Sequence, residues 1–108
     1  MTRVISLAFV FVLVASGAFA QGVVEKGKAV YTAQKCQMCH SIAGVGNKKG
    51  SLDEVGSKYA ASDLHAWIVD APAMMTKTKA ERKPAMKPYA LPKDDVDALV
   101  AYMATLKK

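Results

Sequence analysis

Residues 35–41 read "KCQMCHS", which places Cys36, Cys39 and His40 within five residues of a 108-residue chain that has only two cysteines and two histidines. Several chemistries gather such side chains. A zinc site wants about four ligands in a tetrahedral array, and the adjacent Cys39 and His40 are poorly disposed to share one ion. A thioredoxin-like redox pair belongs in a βαβ context, whereas the residues around this segment read as helices and loops. A disulfide between cysteines this close closes too short a loop to staple a whole domain. The order Cys-x-x-Cys-His satisfies a fourth chemistry better than any of these.

That chemistry is covalent attachment of a c-type haem. Two thiols separated by two residues can reach vinyl groups on neighbouring rings of one porphyrin, each forming a thioether. His40 then falls under the iron, where a neutral imidazole nitrogen serves as the proximal ligand. The segment therefore assigns Cys36 and Cys39 to cofactor binding and His40 to metal ligation, for one haem c.

A sixth ligand has to come from elsewhere in the chain. Thioether sulfur is an axial partner that raises the potential of electron-carrying haem, and the chain has six methionines. Met38 sits inside the haem-binding segment on the wrong side, and Met103 lies on an apolar helical stripe where packing explains it. Met86 stands between Pro84 and Pro88 in "KPAMKPY", where the chain is pushed to extended conformations that can present one side chain inward. It is the preferred second metal ligand. Met74 and Met75, and His65 beside the stripe of the middle helix, are the rivals.

Outward from the motif, helical periodicity predicts about three helices. The first covers about Val23 to Ala33, with Gly27 inside it as a sign of close packing. The second is "SDLHAWIVDA", with Ser62 as N-cap, Leu64, Trp67, Ile68 and Ala71 at i, i+3, i+4, i+7, and Pro72 as its stop. The third begins at Pro92, with Asp94, Asp95 and Asp97 in its first turns and Val96, Leu99, Val100 and Met103 as its core stripe. Residues 42–56 contain four glycines and read as a loop without strands. A second irregular stretch, residues 72–92, holds all four prolines.

At the N-terminus, Arg3 precedes an uncharged run from Val4 to Val24 that ends in small residues at Ala18-Phe19-Ala20. This is the layout of a secretory signal, so residues 1–20 are expected to be a cleaved signal peptide and residues 21–108 the domain. Retention as a membrane anchor is the alternative. Either way the domain is exported, to the periplasm if the source is bacterial. A domain this short buries a limited core and gains from a staple, which the haem would supply.

The residues so assembled resemble a class I c-type cytochrome. "GKAVYTAQKCQMCHSIAGVG" is similar to the family's first helix and haem-binding turn, "YAASDLHAWIVDAP" to its middle helix, and "RKPAMKPYALPKDDVDALVAYMATL" to its methionine loop and last helix. The resemblance implies a small all-α fold around one covalently attached haem, with Met86 as axial ligand and Gly27 and Tyr31 packed on Leu99 and Tyr102. One departure stands out. The family commonly has Gly-Pro after the haem-binding histidine, the proline carbonyl accepting from its ring; here Gly50-Ser51 takes that place, so the backbone of Gly50 or Ser51 is expected to orient His40.

The function this implies is not enzymatic: a monohaem carrier passing single electrons between redox proteins, acidic ones or membrane-bound respiratory complexes among them. The net charge of +6 fits an acidic partner, with Lys48, Lys49, Lys77, Lys79, Arg82, Lys83 and Lys87 expected around the haem. A solvated surface explains the same residues equally well. Nucleic acid is excluded as a partner, since the chain shows no basic helix with interleaved aromatics. The competing readings are a haem subunit of a larger oxidoreductase, and a haem enzyme or gas-binding protein with an open sixth position.

Overall fold

The computed structural model describes the backbone of residues 15–108 and the side chains of residues 21–108. The expected signal peptide therefore lies outside the described residues, apart from the backbone at 15–20. Helix α1 (Ala15–Ala33) begins in that backbone and continues through the expected first helix. No helix among the described residues is long and apolar enough to cross a membrane.

The frame is α1 crossed by α5 (Lys93–Ala104), the last helix. Pro92 is the residue before the first helical one of α5, and Asp94 and Asp95 occupy its first turn, where they meet the positive end of the helix dipole. Gly27 is the point of closest approach: a Cβ built there would meet the Ala98 carbonyl oxygen and come within 2.7 Å of the Tyr102 Cβ. Any side chain at residue 27 would push the helices apart. One turn further on, Tyr31 meets Tyr102 edge to face, with ring centroids 6.0 Å apart. Val30, Val96, Leu99 and Met103 complete the buried seam, and Leu64 and Ile68 close it from the middle of the chain. The Lys26–Asp95 ion pair at 3.5 Å is half exposed and adds little.

Five α-helices are present among the described residues, not three, and each added one has a local cause. The middle segment divides at Asp70 into α3 (Ala61–Val69) and α4 (Ala71–Thr78). Pro72 does not end a helix; it sits in the first turn of α4, where the N–H it lacks would have no intrahelical partner. Ser62 is not the N-cap of α3 either, since Ala60 holds that position without a side-chain cap. The short α2 (Val55–Lys58) lies in the stretch read as loop. It is pinned by Gly56, whose N–H donates to the Leu106 carbonyl at 2.8 Å beyond the end of α5.

The same stretch contains a β-hairpin, which corrects the expectation of no strand. Strands β1 (Ser41–Ile42) and β2 (Val45–Gly46) pair antiparallel across Ala43-Gly44, both at positive φ. Two such residues form the tight turn whose twist suits a hairpin. Two-residue strands are too short to show alternation in sequence.

Candidate functional site

The Cys-x-x-Cys-His segment folds as a single tight turn. Lys35 turns the chain off α1 in the left-handed region at φ 57°, and Cys36–Met38 form a 3₁₀ turn. The Cys36 carbonyl accepts from the N–H groups of both Cys39 (3.1 Å) and His40 (2.9 Å). At three residues per turn, side chains at i and i+3 lie on one side, which brings Cys36 and Cys39 to the same face. Both are free thiols, Cys36 half-buried with its thiol pushed up by burial, Cys39 exposed.

The hairpin holds this turn from behind. Gly46, at φ 109°, lies against the Gln37 carbonyl, and a Cβ there would come within 3.0 Å of that oxygen. Asn47 then donates its backbone N–H to the carbonyls of His40 (2.9 Å) and Gln37 (3.1 Å), and its side-chain amide to that of Met38 (3.2 Å).

His40 is fixed in one tautomer. Its Nδ1 lies 2.9 Å from the Gly50 carbonyl oxygen, which can only accept, so Nδ1 carries the proton and Nε2 keeps a free lone pair. Of the two backbone groups expected to orient His40, Gly50 is the one that does so. Burial lowers the proton affinity of the ring, the Gly50 hydrogen bond opposes it, and the charge of Arg82 lowers it further. The net direction favours the neutral imidazole that a metal requires.

Cys36, Cys39 and His40 all line a cavity of about 870 Å³ that Met86 and the α3 and α5 side chains Leu64, Ile68 and Leu99 also line. Met75 and Met103 also reach its wall, whereas Met74, buried in α4, and His65, exposed on α3, do not. Among the described residues no three His, Cys, Asp or Glu side chains gather around a point where a metal ion would sit, so a zinc site is not assembled.

A largely apolar group fits this cavity. Its size lies within the range of cofactor and ligand pockets, about 300–1,000 Å³. Tyr31 and Trp67 are among its lining residues, and the Tyr31 hydroxyl and the Trp67 Nε1–H are buried without a partner; burial also pushes the Tyr31 hydroxyl up to about 12, so it remains a donor. Sequence reasoning placed Trp67 in the core stripe and Tyr31 in the helix crossing, and missed both as cavity groups. Their signal was aromatic rings with polar tips at core positions.

The rim is basic. Lys35, Lys58, Arg82 and Lys87 line it against Asp53 and Glu54. Of the cations expected around the site only Arg82 and Lys87 are on the cavity wall; Lys77 pairs with Asp63 at 3.6 Å, and Lys35 and Lys58 were not anticipated.

The family model for cytochrome c matches residues 24–107, which is most of the chain, and the protein belongs to the cytochrome c family. Members of that family are typically electron carriers and not enzymes, and membership implies haem c attached through two cysteines. No curated protein and no solved structure gives a significant match to the chain.

Proposed function

We propose that the protein is an exported monohaem c-type cytochrome, with haem held by thioethers from Cys36 and Cys39, ligated by His40 and Met86, and carrying single electrons between redox partners. The observation that carries this reading is the hydrogen bond from His40 Nδ1 to Gly50, which leaves Nε2 with a free lone pair on a ring that lines the cavity Cys36, Cys39 and Met86 share. Bound there, haem supplies a one-electron iron couple. The protein's part would be to fix the imidazole tautomer, to offer a thioether from Met86, and to keep water away from the iron with the α3 and α5 side chains.

Met86 is preferred over Met75 because of where each backbone lies. Met75 is held within α4, whereas Met86 stands in an extended segment: among the described residues, no backbone hydrogen bond ties residues 81–88 to the rest of the protein until Tyr89 donates to Ile68 at 2.9 Å. A segment so free can adjust its one thioether to the iron. The acid–base histidine that a peroxidase would need is not at the cavity, since His65 is exposed and off its wall.

The visible spectrum of the purified protein in both redox states tests the assignment. Haem that stays with the polypeptide through acid–acetone extraction, and a weak long-wavelength ferric band from iron–thioether ligation, are expected. Extractable haem refutes the attachment, and ready binding of carbon monoxide to the reduced protein moves the enzyme or sensor reading ahead.

The basic rim points to an acidic redox partner. Electron exchange with such a partner is expected to slow steeply as ionic strength rises toward about 0.15 M, where the screening length is about 8 Å. A rate flat with salt assigns the rim cations to solvation alone.

A further inference from the structure

We propose that Arg82 sets the reduction potential of this protein by holding a fixed positive charge on the peptide that orients His40. The proposal rests on the haem-carrier reading above, in which His40 binds the iron.

Arg82 stands at the head of the methionine loop, four residues before Met86, and its exposed side chain lines the same cavity as Gly50. Its guanidinium lies on Gly50: a Cβ built at Gly50 would meet Nη1 and come within 2.9 Å of Cζ. A side chain at Gly50 would meet both this cation and the Cys39 carbonyl oxygen. The Gly50 carbonyl accepts the His40 Nδ1–H at 2.9 Å. One residue thus touches a permanent cation on one side and the proximal imidazole on the other. Among the described residues no carboxylate side chain lies within ion-pair distance of the guanidinium.

One effect follows. Arginine stays protonated at every working pH, and a positive charge near the iron would stabilise the reduced site, which carries one positive charge fewer, more than the oxidised one. Arg82 is a positioning residue in this scheme and touches no reacting atom.

The test is a potentiometric titration of the full haem-loaded protein, followed by its visible spectrum, for the unmutated chain, Arg82→Gln and Arg82→Lys. Arg82→Gln is expected to lower the equilibrium constant for reduction by up to about tenfold, equivalent to about 59 mV for a one-electron couple. Arg82→Lys keeps the charge and should restore most of the loss. The long-wavelength thioether band should survive in both. An unchanged potential in Arg82→Gln overturns the proposal. An equal drop in both variants overturns it too, by assigning the effect to guanidinium shape, and so does loss of the band, which would make Arg82 a clamp on the methionine loop. Failure of the haem-carrier reading is distinguishable, because it shows in the unmutated protein as missing haem or a spectrum without histidine and thioether ligation.

Discussion

Replacing both Cys36 and Cys39 with serine is expected to abolish the cooperative thermal transition of the protein as well as its covalent haem. What would fill the cavity of about 870 Å³ is the attached group. Without it the apolar side chains that line this open cavity lose a packing partner, and so small a domain has little other core to hold it together. The seam of α1 and α5, locked at Gly27 and by the Tyr31–Tyr102 pair, is the part with packing of its own, and residual helicity there is expected without fixed tertiary structure. Circular dichroism against temperature, in the far and near ultraviolet, reads both. A double variant that melts as sharply as the haem-bearing protein would show that the fold stands without its cofactor. Either single serine variant should be intermediate, since one thioether and His40 still retain the group.

What the sequence revealed and what it hid divide along a physical line. The proposed haem-binding turn stands out in the sequence because covalent attachment of a haem would fix both residue type and order over five positions. The α1–α5 crossing was legible because Gly27 interrupts one apolar stripe and Val96, Leu99 and Met103 form another, each within a single helix. The break at Asp70 was not. Leu64, Trp67, Ile68 and Ala71 keep helical spacing straight across it, and Pro72 suits either the end of one helix or the first turn of the next. The hairpin at 41–46 and the one-turn helix at 55–58 are each shorter than the window in which a period can be counted. The orientation of His40 could be narrowed to two residues, and the choice of Gly50 depended on a loop closing over ten positions. The contact of Arg82 with Gly50 joins segments 32 residues apart and leaves no local trace in the sequence at all.

Replacing Met86 with alanine is expected to convert the protein from a carrier into a haem protein with a reactive iron. The long-wavelength ferric band should vanish. The reduction potential should fall by on the order of tenths of a volt, within the ~0.8 V span that axial ligands command, because loss of a soft thioether removes its preference for the ferrous state. Carbon monoxide or peroxide should then reach the iron. The fold should survive, since Met86 is only half-buried in a segment that contributes no backbone hydrogen bonds between residues 81 and 88, and its loss leaves the α1–α5 seam untouched. The controls separate the rivals by position. Met75→Ala removes the other methionine outside the core seam that reaches the cavity, Met74→Ala removes one buried in α4 away from it, and His65→Ala changes an exposed side chain. None of the three should alter the band, the potential or the reactivity toward carbon monoxide. A Met86→Ala protein that keeps its band while Met75→Ala loses it would transfer the ligand to α4. The methionine loop would then be a cover over the cavity, and the freedom of residues 81–88 would serve access to the iron in place of ligation.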